Sequence, residues 1–259
     1  MTPLEVSVFV MLALVTIAFV SGIGITTIGP GGIFVTIALF SLTSLPSAEV
    51  AGTAHLTFVA TGIVGSFAYL RSGEFSTGPA RTLVVLLSGS CIVGALAGAV
   101  LNQFVTRETF GVLLGVVAVT VGVTILYRER RGLLAMYELD LDTRQDRFLL
   151  VGIGSVLGLV SGLLGIGGPV LAVPALVLLG VPMLLAVAVA QVQSIFIASV
   201  AAGGYLYHDS VSVAFAILVG VPLLGGVLIG WQIAHRVDPT RLTILLGIVL
   251  IMIGPYLAF

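Results

Sequence analysis

Gly165-Ile166-Gly167-Gly168-Pro169-Val170 opens a short apolar run that ends at Val181. The same figure stands 136 positions earlier, where Gly29-Pro30-Gly31-Gly32-Ile33 leads into the run Ile33–Leu45. Neither Ile33–Leu45 nor Val170–Val181 is long enough to cross a bilayer alone, since a spanning helix needs about 20 apolar residues. Eight longer apolar runs surround them. Leu4–Ser21, Ser47–Leu70, Arg81–Leu101 and Phe110–Tyr127 lie in the first half, and Phe148–Leu164, Met183–Tyr207, Val211–Ile233 and Leu242–Leu257 in the second. The first run carries Glu5 but no basic residue before it, so it is read as a span and not as a cleaved leader.

Composition agrees with that segmentation. Of the 259 residues 59% are hydrophobic and 8% charged, with a mean hydropathy of +1.26. A soluble domain carries about 25% charged residues, so this chain cannot clothe a water-facing surface. The expectation is an all-α polytopic membrane protein of the cell membrane, with the lipid bilayer as its first partner. Ten Arg, no Lys and eleven acids leave a net charge of −1 and no basic footprint for nucleic acid. The single Cys91 excludes an internal disulfide and reads as a packed thiol.

Sliding the sequence on itself by 136 places Gly29, Gly31 and Gly32 on Gly165, Gly167 and Gly168, Pro46 on Pro182, and Tyr69-Leu70 on Tyr205-Leu206. After a small shift, Gly94-x-x-x-Gly98 meets Gly226-x-x-x-Gly230, and Gly115 and Gly122 meet Gly247 and Gly254. The chain therefore reads as a first membrane repeat over 1–127, an Arg-rich connector over 128–147 and a second repeat over 148–259. Short Arg-rich loops face the cytoplasm. With the connector inside, Arg236 and Arg241 fall on the same side only if Val170–Val181 counts as a crossing. Five segments per half is odd, which inverts the second half. Inverted repeats with paired short, Gly/Pro-interrupted segments point to a transporter binding site.

Gly165-Ile-Gly-Gly-Pro-Val-Leu-Ala-Val-Pro174-Ala-Leu resembles the glycine-rich signature of the TauE/SafE family, the sulfite exporter-like permeases. Gly52-Thr53 and Tyr69-Leu-Arg71-Ser-Gly73 resemble first-half stretches of the same family. Pro169 stands where that family has a third glycine, and Ala38 where the first repeat would have its proline. The resemblance implies transport of sulfite, sulfonates or related sulfur compounds.

No Lys or Arg occurs from Met1 to Leu70 or from Phe148 to Ala234. A small anionic substrate must then be held by other donors, and the free N–H groups at a helix N-terminus supply them. Gly29, Gly31 and Gly32, with Gly165, Gly167 and Gly168, are the candidate breaks; packing is their alternative role, as it is for the Gly-x-x-x-Gly pairs. On the long helices that follow, His55 and Gln191 are repeat equivalents about 12 Å into their helices. A histidine in water titrates near neutral pH, so His55 is the candidate for proton coupling, although both residues also suit bonding between helices. Thr57 shares a face with Thr53 and Thr61, and Ser194 shares one with Gln191. Trp231 and the tyrosines near segment ends read as interfacial anchors. There is no P-loop, HExxH or G-x-S-x-G motif, so no cofactor is expected. A secondary transporter leads over an intramembrane enzyme and over a non-transporting scaffold.

Overall fold

The computed structural model describes residues 6–76, 78–130, 137, 139–236 and 240–258, and every regular element among them is helical. In chain order these are α1 (Val8–Thr27), α2 (Ile33–Leu42), α3 (Ser47–Arg71), α4 (Gly78–Asn102) and α5 (Arg107–Arg130). The second half gives α6 (Arg144–Leu164), α7 (Gly168–Leu178), α8 (Met183–Tyr207), α9 (Val213–Ala234) and α10 (Thr240–Ala258). Eight are long and apolar enough to span a membrane, and α2 and α7 are not. All ten expected segments appear, with shifted ends. α1 runs on from Ser21 to Thr27, and α7 begins at Gly168, ahead of Val170. Parts of the expected connector, residues 131–136 and 138, lie outside the described residues, as do residues 4 and 5 of the first run.

Local chemistry sets the ends. Ser7 caps α1 by accepting the Val10 N–H (3.3 Å), and Thr143 caps α6 by accepting that of Asp146 (3.3 Å). α6 stops where Gly165 turns left-handed (φ 65°, ψ 39°) and gives its N–H to Ser161 O, a conformation glycine adopts without strain. Pro46 and Pro182, both extended, precede α3 and α8.

Packing follows a pattern that survives exchange of the halves. α1 lies on α9 as α6 lies on α4, α3 lies on α8, and α5 lies on α10. Glycines make the close contacts. A side chain at Gly226 would meet Phe19 O, and one at Gly94 would meet Ser155 O; Gly22 and Gly158 stand in the same way against Leu223 O and Cys91 O. On α5 and α10, Gly115 faces Gly254 and Gly122 faces Gly247. These pairs let helix backbones approach closely, the usual source of cohesion between helices in lipid. α3 and α8 are the most buried spans and form the centre. Phe9, Val93, Phe104 and Met252 point outward, as lipid-facing residues do.

The loops separate into two ends. Ser47 Oγ donates to Val105 O (3.0 Å), and the Arg107 guanidinium donates to the carbonyls of Phe40, Thr43 and Leu45. The α2–α3 turn therefore shares an end with the α4–α5 turn. At the other end, Glu74 stands 3.8 Å from His235, and Leu139 N–H donates to Leu179 O (3.4 Å). Every described arginine except Arg107 belongs to this second end, Arg236 included. α2 and α7 are half-length returns: α1 with α2, and α6 with α7, each enter and leave at one end.

This packing carries a stability expectation. A methyl at Gly98 would come 2.6 Å from Leu163 N, and one at Gly230 2.8 Å from Ile23 Cα, whereas Gly152 has open space. Gly98→Ala and Gly230→Ala are each expected to cost ~1–3 kcal/mol through overpacking. Melting curves in detergent should place both below wild type and Gly152→Ala beside it. Equal melting of all three variants would contradict the packing role.

Candidate functional site

The two interrupted hairpins meet inside the protein. α1 ends at Thr27 and the chain reverses through Gly29 and a 3₁₀ turn, Pro30–Gly32, before α2 starts. In the second half Gly165 to Gly167 make the same reversal before α7. The breaks touch: a side chain at Gly29 would strike Val173 of α7, and the Thr36 hydroxyl of α2 donates to Gly165 O. α2 and α7 run from this junction toward opposite ends of the bundle. Neither N-cap, Gly32 or Gly167, brings a side-chain acceptor to the first turn of its helix. Some first-turn N–H groups of both helices are thus left without a side-chain partner, with the positive ends of two helix dipoles near one another.

Between the breaks lies a buried cavity of about 10 Å³, the room of a single water. Gly29, Gly32, Gly167 and Ser194 line it, together with Phe58 and Thr61 of α3. Ile25, Ile166, Pro169 and Val170 complete its wall. No charged side chain is among them. Ser194 Oγ also accepts from Gly168 N–H (3.4 Å), which ties α8 to the start of α7.

Gly31, Thr57, Gly165, Gly168, His55 and Gln191 stand outside this lining. Gly31 packs on α1, where a side chain would meet Ser21 and Gly24, and Gly165 packs on Ala51 of α3. A side chain on Gly168 would sit 2.9 Å from Ser194 N and 3.1 Å from Ala190 O, in the α8 backbone and away from the cavity. Gly32, by contrast, lines the cavity, and a side chain there would meet Ile166 O and the Phe58 ring. Thr57 bonds Ala54 O (2.7 Å) and faces α9 at Gly220, one turn before Thr61 reaches the cavity. Phe58, the repeat equivalent of Ser194, was recoverable by subtracting 136.

His55 and Gln191 serve mirrored places. Gln191 Nε2 donates to Ile25 O (3.2 Å) and His55 Nε2 bonds Ser161 O (3.0 Å), so each long helix holds the carbonyl end of the other half's broken hairpin. A carbonyl only accepts, which fixes the Nε2–H tautomer of His55. Its Nδ1 is buried without a partner, and its ring stacks on Tyr205 at 6.1 Å. Tyr69 and Tyr205 join the same mirror. Their hydroxyls donate to Thr26 O (2.5 Å) and Gly162 O (2.9 Å). Both rings are fully buried, so these tyrosines are caps on helix ends and not the interfacial anchors the sequence suggests; Tyr207 and Tyr256 are exposed.

A multi-pass helical membrane protein whose two interior helix breaks face each other has the build of a secondary transporter. The chain belongs to the family described as Sulfite exporter TauE/SafE, whose model matches residues 10–257. It is also 25% identical over 268 aligned residues to the probable membrane transporter protein YunE of Bacillus subtilis (strain 168), with 95% of this chain and 96% of that protein covered. No solved structure matches it. It is a multi-pass membrane transporter.

Proposed function

We propose that this transporter carries a small sulfur oxyanion, sulfite or an organosulfonate, held near the bilayer midplane between the two glycine breaks. The observation that carries this reading is the convergence of two glycine-capped helix N-termini on one buried cavity without a basic side chain. An anion entering such a place exchanges its water for backbone N–H donors and two positive dipole ends. A buried arginine would cost about 2.5–3.5 kcal/mol at the helix centre, and none is spent. The sulfur chemistry rests on the family description. The cavity as it stands has room for one water and not for an oxyanion, so binding requires one side to open.

Residues 1–127 and 148–259 act as two repeats inverted in the membrane, with 128–147 as the cytoplasmic connector. The matched contacts of α1 on α9 and α6 on α4 support this, as does the gathering of arginines at one end. A substrate panel tests the chemistry. Sulfite, thiosulfate, sulfoacetate and taurine are added to purified protein and its melting temperature is read. Stabilisation by at least one oxyanion and none by chloride is expected; no shift with any of the four would defeat the reading.

Proton coupling through His55 belongs to the same proposal. Gln191 performs the mirrored bond with a neutral amide, so His55→Gln keeps a donor for Ser161 O while removing titration and the ring contact with Tyr205. That variant is expected to transport with a flat pH profile. His55→Ala removes one of the two bonds to Ser161 O, leaving that from Gly165 N–H, and is expected to lose ~0.5–1.5 kcal/mol of stability. A wild-type pH profile in His55→Gln would assign His55 to structure alone.

A further inference from the structure

Two apolar grooves open on the outer surface at the Arg-rich end, on either side of a ridge made by Ile63 and Phe67 of α3. The first, about 580 Å³, lies between α3, α4 and α8, with Leu70, Val84, Val192 and Ile195 in its walls and Arg81 among its lining residues. The second, about 240 Å³, lies between α3 and α9, with Val64, Leu228 and Trp231 in its walls and Arg71 at its edge. The Arg71 guanidinium sits 4.4 Å over the Phe67 ring, on the ridge itself.

Each groove also has one polar residue in its wall, Ser66 in the first and Trp231 in the second. Among the described residues neither Arg71 nor Arg81 has an acidic partner, and the acid of the intervening turn, Glu74, stands 3.8 Å from His235. Ser66 lies five residues before the end of α3, about 7.5 Å below it along the helix. That is the depth of the glycerol region when the arginines are at headgroup level.

We propose that the twin grooves hold the two acyl chains of one anionic phospholipid straddling Phe67. Its phosphate lies between Arg71 and Arg81, and its glycerol backbone lies level with Ser66. A neutral lipid would fill the walls and leave the positive charge unanswered, whereas basic sites between helices at the cytoplasmic surface select anionic headgroups. Tyr69-Leu70-Arg71-Ser72-Gly73 thereby gains two roles: Tyr69 caps a helix end inside while Arg71 meets lipid outside.

Native mass spectrometry of the delipidated full chain with equal phosphatidylglycerol and phosphatidylcholine tests this. Wild type is expected to retain one phosphatidylglycerol with at least a tenfold preference. Arg71→Gln/Arg81→Gln should lose the preference, and Arg81→Gln alone should reduce it. Both arginines are exposed, so melting should stay near wild type. Val192→Trp, which blocks the first groove, should lower retention of both lipids. Equal retention of the two lipids by wild type would overturn the proposal, as would an unchanged preference in the arginine variants. So would stabilisation by inorganic phosphate equal to that by phosphatidylglycerol, or a lipid-free mass of two chains.

Discussion

Gly32→Ala protein is expected to fold normally and to carry its anion at least tenfold more slowly than wild type. Gly32 has helical dihedrals (φ −60°, ψ −29°), where alanine is at ease. Its added methyl would stand 3.3 Å from both Ile166 O and the Phe58 ring, tight but tolerable with a small shift. That methyl occupies the cavity between the breaks and keeps an oxyanion away from the first turn of α2. Losing one such approach weakens binding by about 1.4 kcal/mol or more, a factor of ten. Flux per folded molecule, measured beside a melting curve, separates this from a folding defect. Wild-type flux from folded Gly32→Ala protein would remove Gly32 from the site.

Gly167→Ala should act on the other half and through the backbone. Gly167 holds φ 73° and ψ 156°, a region nearly closed to residues with a side chain, at a cost of about 1–3 kcal/mol. A methyl there would also come 3.2 Å from the Phe58 ring. The peptide relieves this strain by rotating, which re-aims the N–H groups that open α7. Both a lower melting temperature and a flux loss of tenfold or more are expected. A variant that melts early but transports at the wild-type rate would show that α7 does not present the anion's donors. Gly203→Ala, which has open space, is the control.

The spans were legible because each is a long apolar run, and the breaks because glycine recurs at a fixed register. The end of α1 was not. Gly22, Gly24, Thr26 and Thr27 dilute the hydropathy there, yet Gly22 admits α9, Gly24 admits Gly31 of the break, and the threonine hydroxyls bond carbonyls. Thr27 Oγ1 donates to Ile23 O at 2.6 Å and to Gly230 O at 3.0 Å. For the site, periodicity gives depth and face but not the neighbour on that face. His55 and Gln191 sit at matched depth as read, yet they turn to the carbonyl ends of α6 and α1. Thr57 and Thr61 share a face, and only the three-dimensional placement of α9 assigns Thr57 to packing and Thr61 to the cavity. The apolar wall of Ile25, Ile166 and Val170 carries no chemical signal that a sequence could display.

Sulfite flux into proteoliposomes, with wild type and Gly32→Ala reconstituted at equal density, tests the transport site most directly. Wild type should exceed protein-free liposomes by at least tenfold, and Gly32→Ala should fall close to the protein-free level. Equal sulfite flux through the two proteins, or wild-type flux no greater than that of empty liposomes, would contradict a sulfur-oxyanion site between the breaks.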